Sequence, residues 1–282
     1  MTEVIERTEV LQPEPAQALG SLLGVPVPDL AGGAGLPPLW HWVYLLDRPA
    51  QADLGPDGHP VRGTLPAPPG PGRRRMWAGG RIRTAGALRC GSAATKRTSV
   101  LSVTEKEGRS GRLTFVTIGH RITQGGALVI DEEQDIVYRE SAAASPDRPA
   151  SPPPAPAGTG PRVPAADGER EIEVSPVLLF RFSALTYNAH RIHYDRDYCR
   201  DVEGYPGLLT HGPLQALAMA EAARTAGHGG DCRFEYRLLS PLFDYQGMVV
   251  SAAAGPEETA TAVRDRYGRR TAAGTLRVTA AG

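Results

Sequence analysis

The sequence predicts an α+β fold built from two halves, each an antiparallel sheet with a central helix. A stretch at 145–164 carries eight prolines and almost nothing that could build a core, so it divides the chain into parts of similar size. On both sides of it, short segments rich in β-branched residues alternate with glycine-containing turns, a pattern typical of antiparallel strands. The halves resemble an imperfect duplication without a clear sequence repeat. The predicted units are a first domain at 1–144, a linker at 145–168 and a second domain at 169–282.

Composition limits the classes of function. Hydrophobic residues make up 41% of the 282 positions, enough to bury the cores of two domains. The 31 basic and 31 acidic residues balance, which argues against a nucleic-acid-binding surface. Three widely spaced cysteines indicate reduced thiols rather than a disulfide framework. The first fifteen residues lack the apolar core of a secretory signal, and no apolar run approaches the roughly 18–20 residues of a membrane helix. We therefore expect a cytoplasmic protein that binds neither membrane nor nucleic acid.

The first half begins with a predicted short helix at 14–23. The block LPPLWHWVYLL at 36–46 predicts a short buried helix, with a strand as the alternative, and His41 within it is expected to be a packed core histidine. Seven prolines predict a long loop at 47–75. The triple arginine at 73–75 is either a solvated surface feature or a phosphate-binding element, since forked guanidinium donors suit that group.

Strands dominate the rest of both halves. In the first half they are predicted at 96–105, 112–121 and 127–140. In the second half, 171–185 is predicted as a strand pair or one strand broken near Pro176, and 213–226 as a helix that begins at Pro213 and ends before Gly227. Four further strands are predicted at 232–243, 247–254, 259–265 and 271–279.

The densest chemistry lies at 186–213, TYNAHRIHYDRDYCRDVEGYPGLLTHGP, which holds three of the seven histidines. His190 and His193 are spaced like two metal ligands from one helical turn, but the catalytic glutamate of zinc peptidases is absent and no third ligand is assured. The spacing of His193 and Asp197 matches the HxxxD signature of acyltransferases, but the sequence has no DFGWG-like partner motif.

A third interpretation uses the whole stretch. Asn188 and His193 lie on a polar loop, and His211-Gly212 lies at the start of the predicted helix. Free N–H groups and the helix dipole at that start can receive negative charge that develops on a carbonyl oxygen. A general base together with such a donor is what water addition to an α,β-unsaturated thioester requires.

The same residues resemble the MaoC-like, or hydratase 2, hot-dog enzymes. Their loop G-D-x-N-P-[LIV]-H-x-D is followed by a His-Gly pair, and the segment from Tyr187 to Asp195 falls on that loop without a gap. The resemblance implies that Asn188 and His193 occupy the positions of the catalytic dyad and that the Gly212 amide binds the thioester carbonyl. It assigns the remaining matched positions, Tyr187, His211 and Asp195, to substrate binding.

Three positions depart from this loop: Asn188 replaces the aspartate, His190 the asparagine and Arg191 the proline. Because an amide cannot act as a carboxylate base, we expect His193 to be the base and Asn188 to orient water or hold the substrate. His190 or a nearby carboxylate would be the second acid or base. Arg191 could bind a free carboxylate of the substrate, or form a surface salt bridge.

These departures are similar to the branch that contains mesaconyl-C4-CoA and itaconyl-CoA hydratases. The likeness extends to the first half, in LPPLWHWVYLL, LGPDGHP, RRMWAGGRI, VTEKEGRSG and EEQDIVYRE, which look like that branch's N-terminal dehydratase-like domain. The resemblance implies a double hot-dog fold with one active site, in the second half, and a homodimer. It implies no metal and no redox cofactor, because coenzyme A arrives as part of the substrate.

We therefore expect an acyl-CoA hydratase or dehydratase for a short branched or dicarboxylic enoyl-CoA. One alternative is a dehydratase for acyl-carrier-protein thioesters in natural-product biosynthesis. Another is a degenerate hot-dog protein that binds acyl thioesters without turning them over.

Overall fold

A computed structural model describes most of the chain. The described residues are 4–61, 73–108, 111–140, 160–227 and 231–279. The predicted linker lies outside them as far as residue 159, and so does part of the predicted loop, at 62–72. Within these ranges, no helix is long and apolar enough to cross a membrane.

The first half is a five-stranded antiparallel sheet with one α-helix between its first and second strands. Its elements are β1 (Val4–Val10), α1 (Pro13–Leu23), β2 (Arg73–Thr84), β3 (Ala93–Gly108), β4 (Gly111–Gln124) and β5 (Ala127–Glu140). The three predicted strands are confirmed, two of them longer than expected and the third, at 127–140, with the predicted bounds. Neither β1 nor β2 was predicted, and the predicted loop at 47–75 ends earlier than expected, because β2 begins at Arg73. Apolar and polar residues alternate weakly in β1, and its register against β3 is what makes it a strand.

The second half carries four helices or strands before its main ladder. Its elements are β6 (Arg170–Ile172), α2 (Pro176–Leu185), α3 (Arg196–Asp201), α4 (Gly212–Thr225), β7 (Cys232–Leu238), β8 (Met248–Ala254), β9 (Thr259–Arg264) and β10 (Arg270–Val278). The predicted helix at 213–226 and the four strands after it are confirmed.

The prediction for 171–185 was wrong, because this segment is mostly the helix α2. The Ser175 side chain accepts a hydrogen bond from the Leu178 amide. Pro176 occupies the first turn of the helix, where a backbone N–H would have no acceptor within the helix, so the N–H that proline lacks is not needed. Leu179, Phe182 and Ser183 then face the core at helical spacing. Continuous apolarity hid this periodicity, since the helix is apolar on most of its surface.

The two halves form one continuous sheet of ten strands, in the order β1-β3-β4-β5-β2-β7-β10-β9-β8-β6. The join is the antiparallel pairing of β2 with β7, from Gly79 opposite Arg237 to Thr84 opposite Cys232. The sequence predicts a sheet in each half but does not indicate that the two share an edge. Helix α4 packs against β7, β8, β9 and β10 of the second half.

In the first half, the segment that follows α1 lies over the sheet. Only Trp40–Val43 of the predicted helical block is helical, as a single 3-10 turn. His41 is buried and bonded to Glu132 of β5, as expected for a packed core histidine. The indole N–H of Trp40 donates to buried Glu221 of α4 over 2.7 Å, which ties the first half to the second. Because this segment contains only one short helical turn, space remains between the first-half sheet and the loops of the second half.

Close approach of β2 to β7 depends on glycine. A Cβ atom at Gly79 would overlap with the carbonyl oxygen of Tyr236 in the neighbouring strand. We therefore expect Gly79→Ala to lower the free energy of unfolding by roughly 1–3 kcal/mol, as overpacking does. Denaturant unfolding followed by tryptophan fluorescence would measure it.

Gly160→Ala is the matched control, because a Cβ there meets nothing within 4 Å. Its unfolding free energy should stay the same or rise slightly, since alanine restricts the unfolded chain. Equal midpoints for the two variants would contradict the role assigned to Gly79.

Candidate active site

The histidine-rich loop is shaped by its own backbone. After α2 ends, Tyr187 takes a left-handed conformation with φ of 52°, and the Asn188 amide donates to the Ser183 carbonyl over 2.8 Å. The Asn188 side-chain oxygen then accepts a hydrogen bond from the His190 amide, a local turn that asparagine favours. A 3-10 turn at Arg191–His193 follows. These contacts hold Asn188, His190 and His193 along one wall.

His193 is buried and presents one free ring nitrogen. Its Nδ1–H donates to the Leu209 carbonyl over 2.8 Å, so Nε2 carries the lone pair. No described residue bonds to Nε2. Its ring stacks on His211 at 3.6 Å between centroids. Burial lowers the pKa of His193 to about 4, although the bond to Leu209 opposes this shift. At neutral pH the imidazole is therefore uncharged and can accept a proton.

The start of α4 lies beside this histidine. Gly212 is the first residue of the helix, and its backbone lies close to Leu238, because a Cβ atom at this position would overlap with that side chain. His211, the residue before the helix, is buried and bonds through Nε2 to the Ser183 hydroxyl over 2.9 Å. N–H groups in the first turn of a helix lack intrahelical acceptors. Gly212 therefore offers a donor where an oxyanion would be stabilised.

A cavity of about 1220 Å³ opens in front of these groups, and both halves line it. Five of the predicted site residues face it, namely Tyr187, Asn188, His190, His193 and Gly212. Three do not line it: Arg191, His211 and Asp195. His211 lies behind His193 and supports its ring.

Arg191 and Asp195 pair with each other. The guanidinium donates to the Asp195 carboxylate over 2.7 Å and to the Pro56 carbonyl over 3.0 Å, and it lies over the Tyr198 ring. Asp195 also caps α3 by accepting from the Tyr198 amide. This geometry gives the pair a task in holding the loop, and it favours the salt bridge over carboxylate binding for Arg191.

The first half contributes His59, a histidine that was not among the predicted site residues. His59 lines the cavity, and its Nδ1–H donates to the Asp57 carboxylate over 3.0 Å. Its ring packs on His190 with 3.9 Å between centroids. Gly58, with φ of 87°, lies so close to Ala189 that a Cβ atom would overlap with the Ala189 carbonyl. The motif LGPDGHP was the available signal, because Asp-Gly predicts a tight turn that places a histidine beside a carboxylate.

These groups also form the described set that most resembles a metal site. Ligand atoms of Asp57, His59 and His190 lie within 4.8 Å of one another. However, the Asp57–His59 hydrogen bond already engages one atom of each, and the two imidazole rings pack on each other with centroids 3.9 Å apart at an interplanar angle of 41°. Metal ligation by histidine requires the lone pairs of the ring nitrogens to converge. We interpret the group as a hydrogen-bonded pair packed on His190.

An arginine of β2 faces this side of the cavity. Arg75 lines it and lies opposite Tyr138 in the β2–β5 ladder. Burial raises the pKa of Tyr138, while the charge of Arg75 and a hydrogen bond from it act in the other direction. Burial lowers the pKa of His59 and of His190, and the charge of Arg75 lowers both further. No described carboxylate forms an ion pair with Arg75.

The first-half wall of the cavity carries a carboxylate, Glu132, whose oxygens are already engaged in hydrogen bonds. Glu132 accepts hydrogen bonds from His41, Trp42 and Gln134. Burial alone would raise its pKa, but these bonds and nearby positive charge lower it to about 2. This carboxylate is therefore ionised and fully engaged, which makes it a structural group rather than a base.

Comparison with known sequences gives one family. The profile of hydroxyacyl-thioester dehydratase type 2 matches residues 39–244. A mesaconyl-C(4)-CoA hydratase from Chloroflexus aurantiacus is 47% identical over 246 residues, which cover 85% of this chain and 84% of that protein.

Solved structures agree on the fold. HtdX from Mycobacterium tuberculosis superposes with a TM-score of 0.69 at 14% identity, covering 98% of this chain and 99% of that one. A second protein of the same organism, described as a double hot-dog, gives a TM-score of 0.56 at 17% identity, covering 98% and 96%. The chain therefore has the double hot-dog fold.

Buried histidines should make stability depend on pH. The folded chain holds His193 neutral to about pH 4, whereas the unfolded chain protonates histidine near 6.5. Protons therefore favour the unfolded chain between these values, and we expect the free energy of unfolding to fall as pH drops from about 6.5. The slope is roughly 1.4 kcal/mol per pH unit for each histidine that stays neutral. Urea unfolding at several pH values would measure it.

His193→Gln supplies the control, because it removes one titrating group of similar size. Its slope between pH 6.5 and 4.5 should be smaller than that of the wild type. Glu132 does not interfere, since carboxyl protonation adds to the loss only below its ordinary pKa of 4.5. Identical slopes would show that His193 is already protonated in this window.

Proposed function

The chain belongs to the hydroxyacyl-thioester dehydratase type 2 family, and on that premise we propose that it is a hydro-lyase that adds water reversibly to a short dicarboxylic enoyl-CoA. One observation carries the proposal. A neutral histidine with a free Nε2 lies beside the first N–H groups of α4, in a cavity large enough for an acyl chain. This arrangement joins a base to an oxyanion donor.

The reaction follows from these positions. The thioester carbonyl accepts a hydrogen bond from the Gly212 amide, where the helix dipole also favours negative charge. His193 Nε2 takes a proton from water as the water oxygen bonds to the β-carbon, and the double-bond electrons move onto the thioester oxygen. Asn188 lines the same wall and orients the water through its amide. The enolate then takes up a proton at the α-carbon.

Arg75 supports a dicarboxylic substrate. It is the one arginine among the described residues that line the cavity, its charge lowers the pKa of His59 and of His190, and it has no carboxylate partner in the described ranges. A free carboxylate of the substrate, next to its β-carbon, would be a partner for Arg75 through a charge-assisted, bidentate hydrogen bond. The relative from Chloroflexus aurantiacus is named for a substrate of this kind, mesaconyl-C(4)-CoA. We therefore assign to Arg75 the task first considered for Arg191.

Two finer features belong to the same proposal. We infer that coenzyme A rather than a carrier protein delivers the acyl group, in line with the name of that relative. We also infer a homodimer, because β1 and β6 are the edge strands of the described sheet and edges of this kind pair readily. Light scattering on the purified protein would give the mass.

The first test is a substrate panel. Loss of the enoyl-thioester absorbance would be followed with mesaconyl-C4-CoA, itaconyl-CoA, crotonyl-CoA and a carrier-bound enoyl thioester. We expect turnover with a dicarboxylic enoyl-CoA and a fall in kcat of about 10²–10⁴-fold in His193→Ala, because general-base catalysis contributes on that scale.

Other results would change the assignment. Tight binding without turnover of any thioester would make the protein a thioester-binding module. Preference for the carrier-bound thioester would favour the biosynthetic dehydratase. Full activity in His193→Ala would place the base on another residue.

A second test concerns substrate selection. Arg75→Met should lower kcat/KM for the dicarboxylic substrate by about 10–100-fold, because one hydrogen bond to a charged group stabilises by roughly 1.5–3 kcal/mol. Turnover of crotonyl-CoA, which has no second carboxylate, should change little. Arg121→Met, at an exposed arginine of β4, is the matched control. Equal losses with both substrates would make Arg75 a structural residue.

A further inference from the structure

Hydration of an enoyl thioester needs two proton transfers, one from water and one to the α-carbon. His193 accounts for the first. Asn188 cannot account for the second, because an amide does not titrate in this range. The histidine-rich loop at 186–193 therefore provides no obvious residue for the proton transfer to the α-carbon.

Three described titratable residues in or near this loop are candidates for the group that protonates the α-carbon. His190 lies between the other histidines, and burial together with neighbouring positive groups lowers its pKa well below 6.5, so it holds a proton poorly. Asp195 is engaged by Arg191 and does not line the cavity. His59 lines the cavity, its ring centroid lies 3.9 Å from that of His190, and the His190 centroid lies 5.4 Å from that of His193.

Asp57 prepares His59 for proton transfer. Its carboxylate fixes the tautomer by accepting the Nδ1–H, so Nε2 is directed elsewhere, and no described residue bonds to it. Burial would raise the pKa of Asp57, but the hydrogen bond and charge of His59 lower it below its ordinary value, which keeps the carboxylate ionised. Burial and the charge of Arg75 lower the pKa of His59, but the hydrogen bond and charge of Asp57 oppose this shift because they stabilise the imidazolium form. Among the described residues, neither His190 nor His193 has such a carboxylate partner.

The backbone holds this pair against the catalytic loop. The Arg191 amide donates to the Asp57 carbonyl over 2.9 Å, and its side chain donates to the Pro56 carbonyl. Gly58 allows its backbone to approach Ala189 more closely than any other residue could. The position of His59 relative to His190 is therefore fixed from both sides.

We propose that His59, held by Asp57, is the second catalytic residue of the hydration, an inference that rests on the proposed function. As His193 takes the water proton and the oxygen bonds to the β-carbon, the double-bond electrons pass to the thioester oxygen. Protonated His59 then gives its Nε2 proton to the α-carbon as the carbonyl re-forms. Water in the cavity returns the proton from His193 to His59, so one hydrogen and one hydroxyl are added in each turnover.

Steady-state kinetics over a range of pH tests the proposal, with the best substrate of the panel. His59→Ala should lower kcat by about 10²-fold or more with little change in KM, because it removes a proton donor but no binding group. Added imidazole should restore part of the rate by filling the space. Asp57→Asn should lower kcat less, and it should move the fall of kcat at high pH to lower pH, because the amide no longer stabilises the imidazolium.

Asp53→Asn is the matched control, since Asp53 lies in the same segment but does not line the cavity. Its kcat and pH profile should match the wild type. His59→Gln carries the test if His59→Ala does not fold, as judged by circular dichroism. Wild-type kcat in the His59 variants, or a loss without imidazole rescue and without a shifted profile in Asp57→Asn, would overturn the inference. An inactive wild type would instead reject the proposed function.

Discussion

The pairing of β2 with β7 is the constraint on which the rest of the structure depends. It joins five strands from each half into one sheet, and it requires Gly79 where the backbones approach. The indole N–H of Trp77 adds a hydrogen bond to the Tyr236 hydroxyl across the same join. Because this ladder fixes the two halves relative to each other, the cavity between them has walls from both. A site made by two halves needs such a rigid seam.

Burial of the histidines before α4 has an electrostatic consequence. His190, His193 and His211 are buried together, so charging any one of them would place a cation near two others in a medium of low polarity. The histidines stay neutral instead, and a neutral imidazole with a free nitrogen is a base. The stability lost on acidification and the capacity to accept a proton at neutral pH therefore have the same physical origin.

The sequence predicts most of the fold and part of the candidate site. Most strands and α4 were predictable because their periodicity and turn residues are local signals, whereas α2 was not, because it is apolar on several faces. Asn188, His193 and Gly212 were predictable because they lie on one continuous stretch. His59 and Arg75 were not assigned to the site, because they are more than a hundred residues away in sequence. Only the β2–β7 ladder and the packing of the first-half loop bring them to the cavity.

The unusual residues of the catalytic loop form a consistent set when the first half is considered. Arg191 binds the backbone of the segment that carries His59, and the His190 ring packs on His59 itself. Asn188 removes a negative charge from a wall that already receives Asp57 from the other side. His190 and Arg191, two of the departures from the family loop, therefore share one structural context, because both contact the first-half segment that carries Asp57 and His59.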